Sequence, residues 1–419
     1  MGKMSFLPKF SFAETWLLRR IMNGLGGAPL RLVLEDGVGA SPPDDSTLGT
    51  LRIRDRRTLA AMALDPEIGF GEGYAGGRIR VEGDLVRMLE AVYRSMAKIP
   101  DSWYGRLVSR WLEWCQDNTL DGSRHNIHRH YDLGNDFYKL WLDAQLLYTC
   151  AYFPSPRATL EEAQVAKMDY VCRKLQLQPG ETVVDAGCGW GALALHMARN
   201  YGVSVKAFNI SHEQILFARE RAAEEGLSDR VEFIEDDYRN ISGKFDVFVS
   251  VGMLEHVGRD RYAGLGELIH RVVGDSGRGL FHFIGRNRPA PFSRWIRRRV
   301  FPGAYAPVLR EATEIFERWN FSVLDVENLR LHYAKTLEHW LARFEEANRQ
   351  VSTMYDARFL RAWRLYLAGS LVAFQTGTLQ LFQVVFAGSS CRPLLWTRAP
   401  LYEGEPETER KPQWTHAMS

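Results

Sequence analysis

From about residue 160 the sequence alternates between helical and extended patterns, and this alternation constrains the fold more than any other feature. Apolar residues at helical spacing predict helices over residues 163–175, 192–201 and 212–225. Short apolar, β-branched runs predict strands over residues 182–185, 204–208, 231–234, 247–251 and 279–284. Such alternation is typical of a mostly parallel sheet with helices on both faces. We therefore expect an α/β, doubly wound domain.

The first 120 residues follow a different, mixed pattern. They contain an amphipathic start around Trp16 and Ile21 and a strand-like piece at residues 50–53. The helical spacing of aromatic residues over 103–114 predicts core or interdomain packing, and the polar stretch 116–128 predicts a linker. We therefore predict an N-terminal accessory domain with linker (residues 1–120), a main domain (residues 121–390) and a C-terminal tail (residues 391–419).

One uncharged run, residues 365–391, exceeds the ~20 residues that span a bilayer. Polar and small residues such as Gly369, Gln375 and Gln380 interrupt it. We interpret it as a buried helix followed by a final strand over residues 379–387. The first 20 residues include Glu14 and have no continuous apolar segment, so we expect no signal peptide.

Composition argues against several classes of partner. The net charge of +2, from 53 basic and 51 acidic residues, argues against nucleic acid binding. The five cysteines are far apart and form no CxxC pair, which predicts free thiols rather than a disulfide framework or a metal site.

Basic charge is concentrated in residues 276–310, which contain no acidic residue. Within this stretch, residues 295–302 mix arginine with apolar side chains, as segments at an anionic membrane surface do. The alternative is an arginine-rich solvated face.

A glycine-rich turn follows the predicted strand at residues 182–185. The sequence reads Asp185-Ala-Gly187-Cys-Gly189-Trp-Gly191, an acid on the strand end followed by GxGxG. Glycine lets the backbone approach a ligand closely, because no Cβ intervenes. This spacing differs from the GxGxxG of dinucleotide enzymes and is the form seen in S-adenosylmethionine methyltransferases. Asp185 is then predicted to face the cofactor's cationic amino acid end. The alternative is a tight strand-to-helix turn.

A pair of acids, Asp236 and Asp237, follows the predicted strand over residues 231–234. We expect cofactor contacts with the adenine side there, since ligands bind beyond the carboxyl ends of parallel strands. The alternative is a solvated acidic turn.

A series of short segments, in order, resembles the cyclopropane fatty acid synthases. They lie at residues 126–138, 148–153, 185–191, 211–214, 237–239, 252–258, 282–285 and 331–333. The resemblance extends from residue 126 to the last strand, and the first 120 residues match only loosely, at residues 71–74.

The resemblance implies a Rossmann-like S-adenosylmethionine methyltransferase domain with a smaller N-terminal lipid-binding domain. The implied reaction transfers a methylene group from S-adenosylmethionine to the cis double bond of an acyl chain in a membrane phospholipid, through a carbocation and deprotonation assisted by a bicarbonate ion. It also implies a homodimer that is cytoplasmic and peripherally associated with the inner membrane leaflet.

The family's motif positions fall on specific residues of this chain. Those implied for bicarbonate and catalysis are Cys150, Glu255, His282, Ile284 through its backbone, and Tyr333. Those implied for the cofactor are Tyr148, Thr149, Gly187, Gly189 and Gln214. We interpret His256 as a residue that orients its neighbour.

Two positions depart from the family pattern. Residues 208–211 read Phe-Asn-Ile-Ser where the family usually has Gly-Ile-Thr-Leu-Ser, and we assign Asn209 to the cofactor side. Gln375 follows Phe374 where an arginine is common, which predicts a changed ion pair or lipid channel. Three alternatives stay open: a methylene- or methyl-branched product, an amine N-methyltransferase, and a lipid-binding protein whose cofactor site is inactive.

Overall fold

The structure is a computed structural model that describes residues 5–6, 12–37, 39–41, 47–96, 133–392 and 394–402. The predicted aromatic helix at 103–114, the linker at 116–128 and the domain boundary at 120 lie outside the described residues. So do the first part of the motif at 126–138 and most of the predicted C-terminal tail.

A seven-stranded sheet forms the centre of the main domain, in the order β11-β12-β10-β9-β6-β7-β8. The strands are β6 (Thr182–Ala186), β7 (Ser204–Asn209), β8 (Val231–Glu235), β9 (Val247–Val251), β10 (Arg278–Gly285), β11 (Ser322–Asn328) and β12 (Gln380–Ala387). Strands β6 to β10 are parallel, whereas β12 runs antiparallel to both β10 and β11. The predicted α/β, doubly wound fold is confirmed.

Helices cover both faces of this sheet. The helices described in the main domain are α5 (Asn135–Lys139), α6 (Leu160–Leu175), α7 (Ala192–Tyr201), α8 (His212–Glu224), α9 (Tyr262–Val273), α10 (Arg294–Arg299), α11 (Leu309–Glu317), α12 (Arg330–Glu346), α13 (Asn348–Met354) and α14 (Ala357–Gln375). One apolar cluster gathers α6, α7 and α8, and another gathers α9 and α11. Neighbouring residues of β12 point into different clusters, because successive side chains of a strand face opposite sides.

Helix α6 begins three residues before the predicted start. Thr159 caps it, because its Oγ1 accepts a hydrogen bond from the Glu162 backbone N–H at 3.2 Å. The Glu162 carboxylate in turn accepts from the Thr159 N–H at 2.8 Å. This reciprocal capping box stabilises the first turn.

The uncharged run at residues 365–391 forms a helix and a strand, as predicted. A short turn connects helix α14 to β12, and every residue of β12 is buried. None of the described helices has the length and hydropathy needed to cross a membrane.

A smaller N-terminal module precedes the main domain. Its five-stranded sheet has the order β1-β3-β2-β4-β5, with β1 (Ser5–Phe6), β2 (Leu30–Leu34), β3 (Gly39–Ser41), β4 (Gly49–Ile53) and β5 (Ile79–Gly83). Its helices are α1 (Phe12–Gly24), α2 (Arg56–Leu64), α3 (Pro66–Ala75) and α4 (Leu85–Met96). Helices α3 and α4 pack against α14, so one apolar core cluster continues from this module into the main domain.

Helix α10, from the basic segment, docks on the N-terminal module. Trp295 is buried and lies directly against Gly71 of α3. Arg299 donates to Glu72 at 2.6 Å, and Arg358 of α14 reaches the same carboxylate at 2.6 Å. Arg298 is exposed. The segment is therefore chiefly a contact between the two parts of the chain.

Candidate active site

A cavity of about 680 Å³ opens at the carboxyl ends of β6, β9 and β10 and extends into the N-terminal module. Every site residue predicted from the sequence lines it. These are Tyr148, Thr149, Cys150, Asp185, Gly187, Gly189, Asn209, Gln214, Asp236, Asp237, Glu255, His282, Ile284 and Tyr333. This is the edge of a doubly wound sheet at which ligands bind.

The glycine turn between β6 and α7 forms one side of the cavity. Gly187 and Gly189 have φ angles of +91° and +56°, in the left-handed region that favours glycine. A Cβ added at Gly189 would meet no atom within 4 Å. The turn therefore presents bare backbone to open space in which a ligand can approach closely.

Asp185 lies at the end of β6 and is almost fully buried. Burial raises the pKa of its carboxyl to about 7, although the charge of Lys167 opposes the rise. Its Oδ2 atom has no hydrogen-bond partner within the part of the chain that the structure describes. A cationic group in the cavity would satisfy this acid, which fits the amino acid end of a sulfonium cofactor.

Lys167 of α6 is a buried cation that the sequence analysis missed. Its ammonium donates to Thr149 Oγ1 at 3.0 Å. Burial lowers the pKa of Lys167 to about 8, and the largest opposing influence is the charge of Asp143. A sequence signal existed, because Lys167 occupies the same helical face as Leu160, Ala163 and Val171, where an apolar residue is expected.

Asn209 braces the glycine turn. Its Nδ2 donates to the Gly189 carbonyl at 3.2 Å and to Gln214 Oε1 at 2.7 Å. Because the Gln214 oxygen is engaged in this way, its Nε2 is left as a buried donor without a partner among the described residues. The departure at residues 208–211 thus supplies a side chain that orients Gln214 beside the cofactor turn.

The two acids after β8 form a structured turn. Asp237 is buried, and its Oδ1 accepts from Arg239 Nε at 2.8 Å and from the Arg239 N–H at 2.9 Å. Asp236 accepts from Asn240 Nδ2 at 2.8 Å. The alternative of a solvated acidic turn is therefore wrong for Asp237.

Glu255 lines the cavity from a short 3₁₀ turn that follows β9. Its Oε1 accepts from the Ile284 backbone N–H at 2.6 Å. Its Oε2 is buried with no partner among the described residues. Burial raises the pKa of Glu255 to about 7, because the cost of desolvating the charge exceeds the stabilisation by Ile284. Near neutral pH this carboxyl can both hold and release a proton.

His282 of β10 is buried and lines the cavity. Its Nδ1 lies 3.0 Å from Gln383 Nε2, and its Nε2 has no partner among the described residues. Burial and the charges of Lys167 and Lys174 hold the pKa of His282 well below its ordinary value. The imidazole is therefore neutral.

Cys150 is a buried thiol and not an activated nucleophile. Its Sγ donates to the Ala151 carbonyl at 3.1 Å. Burial raises the pKa of this thiol far above its ordinary value, so the group stays protonated. What it offers the cavity is a compact polar side chain and nearby backbone.

Aromatic side chains line the cavity together with these polar groups. The ring of Tyr333 lies 4.4 Å from that of Phe374 and 5.9 Å from that of Trp340, between centroids. The hydroxyl of Tyr148 lies 2.8 Å from that of Tyr366. The rings of Tyr148, Tyr333, Tyr366 and Phe374 line the cavity, where their π faces suit a cation.

His256 also lines the cavity, and burial lowers its pKa to about 4. Gln375, the second departure, is exposed at the end of α14 and does not line the cavity. Its backbone carbonyl, with that of Phe374, accepts from Arg330.

The mostly parallel sheet, the glycine turn and the unpartnered acid at the end of β6 define a class, the Rossmann-like S-adenosylmethionine-dependent methyltransferases. The chain belongs to the mycolic acid cyclopropane synthetase family, whose model matches residues 118–384. The resemblance found in the sequence is thereby confirmed.

Individual relatives agree with this assignment. The chain is 40% identical over 361 residues to a cyclopropane-fatty-acyl-phospholipid synthase of Escherichia coli strain K12, covering 83% of this chain and 89% of the relative. It is 35% identical over 392 residues to a probable fatty acid methyltransferase of Pseudomonas putida, covering 89% and 96%. The crystal structure of mycolic acid cyclopropane synthase CmaA1 complexed with SAH and CTAB superposes with a TM-score of 0.60 at 31% identity, covering 63% of this chain and 97% of that one.

Proposed function

We propose that this protein transfers a methylene group from S-adenosylmethionine to the cis double bond of an unsaturated acyl chain in a membrane phospholipid, forming a cyclopropane ring. The observation that carries the proposal is that Glu255 Oε2 and His282 Nε2 are buried polar atoms with no partner among the described residues, and that both residues line the same cavity as the glycine turn. The name of the Escherichia coli relative supports the substrate class.

S-adenosylmethionine supplies an electrophilic methyl group when it is bound. We assign its binding to the glycine turn, Asp185 and Gln214, with Tyr148, Thr149, Asn209, Asp236 and Asp237 completing this side of the cavity. Asp185 Oδ2 and Gln214 Nε2 are buried and have no partner among the described residues, so a bound cofactor could satisfy both atoms. Holding donor and alkene in one orientation lowers the barrier, because an isolated alkene is a weak nucleophile.

The aromatic side chains that line the cavity protect the reacting acyl chain from water. Methyl transfer to an alkene leaves a carbocation on the acyl chain, and water would trap it. Tyr333, Phe374 and Tyr148 exclude water from that position, and their ring faces stabilise positive charge.

A proton must then leave the added methyl group before the ring closes. A bicarbonate ion bound beside Glu255 and His282 would serve as the base. Protonated Glu255 donates through Oε2, and neutral His282 offers a donor at Nε2, so neither repels the anion. Tyr333 and the backbone at Cys150 and Ile284 complete the polar side of the cavity.

We further propose that the N-terminal module is a lipid-binding domain and that the chain acts as a homodimer. It would be cytoplasmic and bound peripherally to the inner membrane leaflet. Apolar residues of α4 and β4, including Met88 and Leu51, line the same cavity as the catalytic groups, which supports a role in holding the acyl chain. The exposed Arg298 of α10 is suited to an anionic surface.

The test is incubation of the full chain with S-adenosylmethionine and vesicles of unsaturated phosphatidylglycerol or phosphatidylcholine, followed by mass spectrometry and proton NMR of the lipids. Cyclopropane protons with loss of the olefinic signal are the expected result, and sedimentation with the same vesicles measures membrane binding. In Glu255→Gln we expect turnover to fall by about 100-fold with little change in cofactor affinity.

A branched chain is the second candidate product, and the name of the Pseudomonas putida relative favours testing for it. Detection of a methyl- or methylene-branched lipid would show that the product is a branched chain and not a cyclopropane. Absence of any new lipid, with cofactor bound, would overturn the proposal altogether.

A further inference from the structure

A row of polar side chains crosses three strands behind His282. Register pairs His282 of β10 with Gln383 of β12, and Gln383 with Glu327 of β11. Residues paired in this way stand side by side on one face of the sheet. Lys174 of α6 lies over the row, and both Lys174 and Gln383 are buried.

The hydrogen bonds along this row have a fixed direction. The Lys174 ammonium donates to Glu327 Oε2 at 2.5 Å and to Gln383 Oε1 at 2.8 Å, and it lies 3.5 Å from Asp325 Oδ2. An ammonium group has donors only, so the atom of Gln383 facing it must be the oxygen. The amide nitrogen of Gln383 is then the atom that faces His282.

This direction determines where the imidazole carries its proton. Gln383 Nε2 lies 3.0 Å from His282 Nδ1 and is a donor, so Nδ1 must accept. A neutral imidazole has one N–H, and with Nδ1 accepting it must lie on Nε2. That nitrogen belongs to a residue lining the cavity and has no partner among the described residues.

We propose that Lys174 and Gln383 are positioning residues that hold His282 in the tautomer protonated on Nε2, so that it presents a hydrogen-bond donor to an oxyanion in the cavity. The catalytic use of that donor rests on the proposed function, whereas the tautomer itself does not. Glu327 contributes by fixing the Lys174 ammonium, and Tyr170 supports Glu327 through a 2.9 Å hydrogen bond.

The electrostatic surroundings agree with this assignment. His282 is neutral because burial and two nearby lysine charges disfavour the imidazolium ion. Without the row, a neutral imidazole could carry its proton on either nitrogen. A tautomer protonated on Nδ1 would turn the lone pair of Nε2 toward the cavity and repel an anion there. The tautomer protonated on Nε2 attracts the anion instead.

The direct test is NMR of the full chain labelled with ¹⁵N-histidine, with His282→Gln used to identify the His282 signals. In the wild type we expect a protonated Nε2 and an unprotonated Nδ1. In Gln383→Glu the new carboxylate, held by Lys174, can only accept a hydrogen bond, so the proton should move to Nδ1. This measurement needs neither turnover nor lipid.

Gln380→Glu is the matched control, because it buries a carboxylate on the same strand without contacting His282. Gln380 bonds to Asn328 at 2.8 Å and to the Gly377 carbonyl at 2.6 Å. We expect its His282 tautomer to match the wild type. In Gln383→Glu, turnover should fall about 100-fold and the bicarbonate concentration for half-maximal rate should rise, with cofactor affinity unchanged.

A wild-type His282 protonated on Nδ1, or a Gln383→Glu protein that retains the proton on Nε2, overturns the inference. If the tautomer responds as expected but the wild type forms no lipid product, the positioning role is upheld and the proposed function fails.

Discussion

Glu255 combines a titratable group with complete burial, and this combination ties its proton to the stability of the fold. Its pKa rises from an ordinary value of 4.5 to about 7 because the charged form loses its hydration. The pKa of Asp185, which lines the same cavity, is also raised to about 7 by burial. Both acids therefore lower the free energy of unfolding near neutral pH.

The contribution of Glu255 to the free energy of unfolding should consequently decrease as pH rises. Between about pH 4.5 and pH 7 the unfolded chain releases the Glu255 proton while the folded chain retains it. The contribution of Glu255 is thus favourable below pH 4.5, is lost across that window, and is constant above it. The difference corresponds to about 3 kcal/mol.

Thermal or urea unfolding of wild type and Glu255→Gln from pH 5 to pH 8 measures this contribution. We expect the free energy of unfolding of the wild type to fall relative to that of Glu255→Gln as pH rises, since the amide of the variant does not titrate. Glu232→Gln, which changes an exposed glutamate of β8, is the control and should retain the wild-type slope. Parallel profiles for wild type and Glu255→Gln would contradict the assignment.

At the scale of elements, the contact between α3 and α10 joins the two parts of the chain. Gly71 is essential to it, because an added Cβ would clash with Cδ1 of the buried Trp295 ring. Beside it, the arginines at positions 299 and 358 hold the pKa of Glu72 at about 2. The arginine-rich helix thus has a structural role that its composition did not reveal.

Replacing Gly71 with Ala should separate α3 from α10. The buried ring cannot move away without disturbing the contact, so we expect a loss of about 1–3 kcal/mol in urea unfolding. Gly264→Ala is the control, because no atom lies within 4 Å of the added Cβ in α9, and it should leave stability unchanged or raised. Equal effects of the two substitutions would show that the contact contributes nothing.

For the whole molecule, the decisive feature is that one cavity spans both parts of the chain. Val92 and Met88 of α4 line it together with Glu255 and His282. Neither part alone encloses the space. Substrate length is therefore expected to depend on residues far along the chain from the catalytic groups.

A larger side chain in the part of the cavity lined by the N-terminal module should discriminate between acyl chains of different length. In Val92→Trp we expect kcat/KM for long-chain phospholipid to fall by about tenfold relative to short-chain phospholipid, with unchanged affinity for S-adenosylmethionine. Leu64→Trp, at an exposed position of α2, is the control. A uniform loss across chain lengths would argue against acyl binding by the N-terminal module.

Local patterns determined much of this protein from sequence alone. Residues 192–201 and 247–251 form the predicted helix and strand without adjustment, because periodicity and turn chemistry act over a few residues. The glycine turn was recognisable for the same reason. The site residues came from motif order, and all of them line one cavity.

Only the tertiary structure decided which of these side chains contact each other. His282 meets Gln383, and Lys174 meets Glu327, because β12 inserts between β10 and β11 and α6 lies over that row. The docking of Trp295 on Gly71 likewise joins distant segments. Such contacts depend on strand order and burial, which no local periodicity encodes, so the charges, tautomers and pKa values of the site arise only in the folded chain.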